Sequence, residues 1–343
     1  MITFKKAGNL LDEKTDALVN TVNCLGVMGK GIALQFKQAF PENYSQYKSA
    51  CDKKEVKIGK MFVVHSNNLF QPQYIINFPT KINWIHPSKI EYIETGLDDL
   101  IRVIEKNKIK SITIPPLGCG NGGLNWNEVK ELMLEKLSLL NDKIEILIYE
   151  PSHSPNAKDI PISTKKPDLT PIKTALIYLI KIYKDPGYGL TKLEIQKLMY
   201  FLQETGEYLK LQYKKGNFGP YANNLNHLLE SMEGHYLTGF GDRTESTNIS
   251  ILEINIPNIL SLIQMNPKIY HNTLKVKSLI EGYETPYGLE LLSTVHWLYA
   301  HENIHEINKI KTAISQWSTR KKILFNERHI TKAFNTLKNN QFI

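Results

Sequence analysis

The chain has 343 residues, is 42% hydrophobic and 22% charged, and carries a formal net charge of +8. That balance fits a folded chain with room for two cores and excludes a disordered polyelectrolyte. The scattered Cys24, Cys51 and Cys119 argue against a disulfide framework or a zinc site. No apolar run reaches membrane-spanning length and the N-terminus has no apolar leader, so the expected location is the cytoplasm.

The first 150 residues alternate between strand-like and helix-like patterns. Strands are predicted at Ile2–Lys5, Ala17–Val22, Met61–His65, Tyr74–Phe78, Ser111–Pro115 and Ile144–Tyr149. Helices are predicted at Ile32–Phe40, Tyr44–Ala50, Ile90–Lys106 and Asn127–Leu140. Such alternation predicts an α/β fold with a mixed, mostly parallel sheet between helices, whose ligands bind beyond the carboxyl ends of the strands.

Two glycine-rich segments sit at those ends. The first, Asn20 to Ala33, carries Gly26, Gly29 and Gly31 between a strand and a helix, with Asn20 and Asn23 offering amides for ribose hydroxyls. The amides opening the next helix favour an anion such as a phosphate. The second, Pro115 to Trp126, carries Gly118, Gly120, Gly122 and Gly123 and precedes a helix capped at Asn125 or Asn127. One ligand could be clamped between the two. A third segment, Asn77-Phe78-Pro79-Thr80-Lys81, ends another strand and brings a lysine to the same edge. No Ser–His–acid set, HExxH motif, Walker lysine or GxGxxG pattern is present.

Pro151 to Pro171 holds five prolines without periodicity and reads as a boundary. The predicted organisation is a domain over 1–152, a linker over 153–168 and a mainly α-helical domain over 169–343. In the last, helices are predicted at Ile172–Tyr183, Leu193–Leu209, Ala222–Met232, Leu289–Ala300 and His329–Lys338. Ile249–Ile256 reads as a short strand, and Asn217–Tyr221 as a helix-stopping turn. Tyr200, Phe201, Tyr208 and Tyr213 read as core. Residues 227–306 carry ten acidic and four basic residues, whereas 309–338 carry eight basic and one acidic. The basic tail reads as a solvated helix face.

Together, Gly8-Asn9-Leu10, Asp16-Ala17-Leu18-Val19-Asn20, the loop from Asn23 through Ala33 and Gly118–Gly123 resemble a macrodomain, the ADP-ribose-binding α/β fold. The Asn77–Lys81 segment is similar to the lysine-dependent macrodomain glycohydrolases, and the whole chain most resembles the DarG antitoxins of DarT–DarG toxin–antitoxin systems. The resemblance implies that Lys81 is catalytic. It implies ADP-ribose contacts from Asn9 and Leu10, and from Asn20, Asn23, Gly26, Val27, Met28, Gly29, Lys30, Gly31, Ile32 and Ala33. Further contacts come from Thr80 and from Pro116, Leu117, Gly118, Cys119, Gly120, Asn121, Gly122, Gly123 and Leu124. It also implies removal of ADP-ribose from thymidine bases of single-stranded DNA, with no metal, cofactor or membrane involved, and capture of a DarT-like toxin by the C-terminal domain. That domain weakly resembles the Panacea type found beside toxin–antitoxin genes. A module that binds ADP-ribose without hydrolysis, joined to a nucleic-acid-binding C-terminal domain, is the alternative.

Two positions depart from the family pattern. Asn9 stands where many macrodomains carry an aspartate that contacts the adenine amine. Asn121-Gly122-Gly123 lacks the aspartate that some lysine-dependent relatives place in the second loop. For Lys81 two roles are open: neutral nucleophile at the anomeric carbon, or ammonium stabilising the departing base.

Overall fold

The computed structural model describes residues 1–66, 72–140, 143–151, 161–183, 188–240, 248–252 and 258–343. The chain divides into two compact units, Met1–Lys165 and Lys166–Ile343. Residues 152–160, which include the first half of the predicted 153–168 linker, lie outside the described residues.

Among the described residues, unit 1 is built on six strands: β1 (Ile2–Lys5), β2 (Ala17–Asn23), β3 (Phe62–His65), β4 (Tyr74–Lys81), β5 (Ser111–Ile114) and β6 (Glu145–Tyr149). Their order is β1-β6-β5-β2-β4-β3. Of these strands β3 runs antiparallel to its neighbour β4, and the pairings β1–β6, β6–β5, β5–β2 and β2–β4 are parallel. The strands read as apolar runs because helices cover both faces of a parallel sheet. These are α1 (Gly31–Ala39), α2 (Pro41–Asp52), α3 (Ile90–Lys106) and α4 (Trp126–Leu137). The predicted Asn127–Leu140 helix ends as a 3-10 turn over Ser138–Leu140.

On α3, Ile93, Gly96, Leu97, Leu100 and Ile104 form the buried stripe, the spacing an amphipathic helix requires. Gly96 is set by contact: a Cβ there would lie 2.2 Å from Phe78 Cζ. Phe78 is itself fully buried on β4. Gly96→Ala is therefore expected to destabilise unit 1 by about 1–3 kcal/mol through overpacking, measured as a lower urea midpoint at unchanged m-value.

Unit 2 opens with α5 (Pro171–Tyr183) and α6 (Lys192–Glu204), followed by the hairpin β7 (Tyr213–Gly216) and β8 (Gly219–Ala222). Next come α7 (Leu225–Met232) and a small pair, β9 (Leu237–Thr238) with β10 (Ser250–Ile251). The unit closes with α8 (Ile259–Gln264), α9 (Pro267–Ile280), α10 (Pro286–Ala300), α11 (Ile307–Trp317), α12 (Thr319–Leu324) and α13 (Glu327–Asn339). Its core is one apolar cluster running from Ala175 to Leu337.

Several expectations need correction here. Asn217–Tyr221 turns a β-hairpin rather than stopping a helix. Residue 222 belongs to that hairpin, so the helix predicted from Ala222 begins at Leu225. The helix predicted to Leu209 stops at Glu204, two residues before Gly206 at φ +90°. The strand predicted at Ile249–Ile256 covers Ser250–Ile251, and residues 253–257 lie outside the described residues. Tyr208 is 85% exposed rather than core. The basic tail is not wholly solvated, because Lys321 is fully buried against Glu290 of the acidic stretch.

Candidate active site

The sheet order places β2 between β5 and β4. The parallel strands therefore bring three segments to one edge: the first glycine loop after β2, the second after β5, and Lys81 at the end of β4. Register fixes the nearest pair, since Asn23 lies opposite Lys81 after a bulge at Val22/Asn23. Cys24 N then donates to both Lys81 O and Ile82 O.

The first loop is held by its own side chains. Asn23 Oδ1 accepts from Leu25 N and Val27 N, and its Nδ2 donates to Val27 O at 2.6 Å. From α2, Tyr47 Oη donates to Asn23 O at 2.5 Å. Met28 is buried, while Val27 and Lys30 are exposed. Gly29 and Lys30 lead into α1, where Gly31, Ile32 and Ala33 form the first turn. The residue preceding that turn, Lys30, supplies no capping side-chain bond. Its leading amides thus keep the partial positive charge that attracts an anion.

In the second loop, Gly123 N donates to Gly120 O and Leu124 N to Gly118 O. Asn125 caps α4 through Asn127 N. Pro116 and Cys119 are half-buried, Leu117 is buried, and Gly120 and Asn121 are exposed. Gly122 admits no side chain: a Cβ would lie 2.2 Å from Gly118 O and 2.4 Å from Ser88 Oγ. Gly122→Ala therefore carries about 1–3 kcal/mol of strain. Calorimetric titration should show ADP-ribose affinity falling by about 5- to 150-fold if the loop's shape is used in binding.

Lys81 joins the two loops. Its Nζ donates to Asn121 O at 2.5 Å, and a Cβ on Gly31 would lie 3.3 Å from Asn121 Nδ2. The lysine is half-buried, and loss of solvent lowers its pKa from the ordinary value. Burial pushes the Cys24 and Cys119 thiols up to about 11, which keeps both protonated at neutral pH. Lys81 is the group in this cluster whose environment shifts it toward a reactive form.

Other expected contacts are placed differently. Asn20 is fully buried and its Nδ2 donates to Asn77 Oδ1 at 3.0 Å. Asn77 in turn bonds Asn43 of α2 at 2.7 Å. Asn20 Nδ2 thus braces β2 to β4 while its Oδ1 has no partner among the described residues, and the Asn23 side chain bonds within its own loop. Asn9 Oδ1 accepts from Leu11 N and caps the 3-10 turn Leu10–Asp12, while Leu10 packs among Leu18, Phe36 and Ile75 on the α1 side. Thr80 is buried, its Oγ1 3.5 Å from Val22 O. Sequence reasoning missed Tyr47, Asn43 and Ser88 and named Asn77 only as the start of the lysine segment, yet these residues brace both loops. Ser88 N holds Gly122 O at 2.9 Å. Their spacing carries no signal, because each acts through a tertiary contact.

A six-stranded mixed sheet with two glycine loops and a lysine at the carboxyl ends of its central strands defines a macrodomain. The Macro domain family profile matches residues 19–133. The chain belongs to the DNA ADP-ribosyl glycohydrolase family, a family of hydrolases. It is 46% identical to the DNA ADP-ribosyl glycohydrolase of Thermus aquaticus, covering 98% of this chain and 93% of the relative. A DNA ADP-ribosyl transferase–DNA ADP-ribosyl glycohydrolase fusion protein of Thermosipho africanus is 34% identical, over 46% of this chain and 44% of its own length. Among solved structures, the macrodomain of Mycobacterium tuberculosis DarG is 54% identical, with a TM-score of 0.43 over 44% of this chain and 99% of that one. Among the described residues, no helix is long and apolar enough to cross a membrane. No group of three or more His, Cys, Asp or Glu among them is placed to hold a metal.

Proposed function

We propose that unit 1 removes ADP-ribose from a thymine ring nitrogen in single-stranded DNA, with Lys81 as nucleophile, and that unit 2 binds a DarT-like toxin. The observation that carries the chemistry is the position of Lys81 Nζ, bonded to the second glycine loop beside the first and displaced toward the neutral amine by loss of solvent. The loops hold the diphosphate and its ribose, converting binding energy into orientation. The lysine nitrogen forms a bond to the anomeric carbon as the bond to thymine breaks. The departing electron pair stays on the thymine nitrogen, which takes up the proton that the amine loses. The sugar opens to an imine, water adds to it, and the carbon–nitrogen bond to Lys81 breaks. ADP-ribose leaves and the amine is restored. No oxidation state changes overall, so the scheme calls for no redox cofactor.

Toxin binding is supported by the relative whose name joins a transferase and a glycohydrolase in one chain.

The test is a single-stranded oligonucleotide carrying one ADP-ribosylated thymidine. The full chain should release ADP-ribose and regenerate the unmodified strand, and borohydride should trap a reduced adduct at Lys81. ADP-ribose binding without release would identify a reader and end the hydrolase proposal. Activity without a trappable adduct would remove the nucleophile role. Co-purification with a DarT-like toxin tests unit 2, and a complex that survives Lys81→Ala places the two activities on separate surfaces.

A further inference from the structure

Immediately after Lys81 the chain does something unusual for a folded domain. Within four residues it exposes Ile82 (54%), Trp84 (49%) and Ile85 (65%). None of the three belongs to the apolar clusters of unit 1. The segment is nonetheless a built turn. Asn83 Oδ1 accepts from Ile85 N at 3.2 Å, and Asn83 O accepts from His86 N at 3.3 Å. Its two ends are tied to the two glycine loops: Ile82 O accepts from Cys24 N, and Ser88 N donates to Gly122 O. The turn is thus a strap fastened on both sides of Lys81, carrying a tryptophan. Two more apolar side chains, Leu25 (48% exposed) and Val27 (39%), lie on the first loop next to its anchor. Cations border the strap at Lys81 and Lys89, the latter with Nζ 5.9 Å from the centroid of the Tyr92 ring.

We propose that this strap is a nucleobase platform, on which Trp84 stacks the unmodified base adjacent to the ADP-ribosylated nucleotide. The inference rests on the reading of single-stranded DNA as substrate. An unpaired strand offers flat apolar bases and a charged backbone at alternating positions. A rim of exposed aromatic and aliphatic groups flanked by lysines matches both, tolerating sequence because every base has a stacking face. ADP-ribose alone uses only the loops; a DNA strand, entering through its modified base, must pass the strap. Trp84 is accordingly a positioning residue for the strand.

The experiment uses the full chain in a Lys81→Ala background, which prevents turnover. Affinities are measured for free ADP-ribose and for a short single-stranded oligonucleotide bearing one ADP-ribosylated thymidine. The oligonucleotide should bind about tenfold tighter than ADP-ribose, the scale of one stacked base. Adding Trp84→Ala should remove that margin and leave the affinity for free ADP-ribose unchanged, and Trp84→Phe should keep most of it. A margin that survives Trp84→Ala overturns the proposal, as does its absence with Trp84 in place. An equal loss for both ligands also overturns it, showing that the strap shapes the ADP-ribose cleft. So does a variant that binds DNA normally but no longer holds a toxin, because the strap would then be a protein-docking surface. The parent reading fails separately: a chain with Lys81 intact that releases no ADP-ribose from the same oligonucleotide, while the binding margin stands, is a reader with a platform.

Discussion

Lys81→Ala is expected to slow ADP-ribose release from modified DNA by about a thousandfold or more while leaving the affinity for ADP-ribose nearly unchanged. A nucleophile's removal abolishes the covalent route outright and leaves only the assistance that binding gives to water. Binding should survive because the glycine loops hold their shape through Asn23, Tyr47 and Ser88, none of which bonds the Lys81 side chain. The pH profile then identifies the role. An amine attacks only when neutral, and Lys81 is neutral above a pKa that burial has lowered. Single-turnover rates for the unaltered chain should therefore climb by about tenfold per pH unit until they level off. An ammonium acting on the leaving base gives the opposite slope, falling as the lysine loses its proton. Lys81→Arg separates the two again, because it keeps the cation and removes the nucleophile. A Lys81→Arg chain that is as inactive as Lys81→Ala fits the covalent route, and one that keeps substantial activity removes it.

The site was legible in the sequence where backbone freedom and strand burial carry it. β2 and β5 announce themselves as apolar runs ending in glycines, and parallel strands must deliver their ends to one edge. Lys81 could be placed at that edge because it closes the run Tyr74–Phe78. What stayed hidden is the tertiary bonding. Asn20 and Asn23 look like ligand groups by composition; the Nδ2 of each is bonded within the chain, while the buried Asn20 Oδ1 has no partner among the described residues. The hairpin β7–β8 lacks the alternating pattern of a strand pair, since its stability is imported. Gln196 of α6, fully interior, bonds both Ala222 N and Ala222 O, and Lys197 Nζ bonds Pro220 O at 2.6 Å. For the same reason α6 reads as amphipathic but is buried continuously from Glu194 to Leu202. Its Thr191/Glu194 capping box and the Tyr183 hydroxyl satisfy the interior carboxylate.

The opposite charges of the acidic and basic stretches also meet inside unit 2. Glu290, 1% exposed, accepts from Arg320 Nη1 and Nη2 at 2.7 and 3.0 Å and from Lys321 Nζ at 2.6 Å. Lys321 is fully buried and also bonds Thr294 Oγ1. Burial pushes the Glu290 carboxyl up, but its bonds to Arg320 and the charge of Lys321 outweigh that and hold it below the ordinary carboxylate range. Glu290 is therefore the counter-ion of a buried cluster and is not available to a partner.

Glu290→Ala should destabilise unit 2 by about 3–5 kcal/mol, because Lys321 would be left as an uncompensated interior charge. Nearby Lys197 supplies the contrast. It is fully buried, and loss of solvent together with the charge of Lys321 lowers its pKa to about 7. The unfolded chain holds that proton up to the ordinary lysine value of 10.5, so it binds more protons than the folded chain between the two values. Stability should rise with pH across that window, and Lys197→Met should flatten the rise. Thermal melts of the full chain at several pH values measure both effects. A Glu290→Ala chain that melts with the unaltered one would mean that water reaches Lys321. A Lys197→Met chain that keeps the full pH dependence would assign the slope to another group.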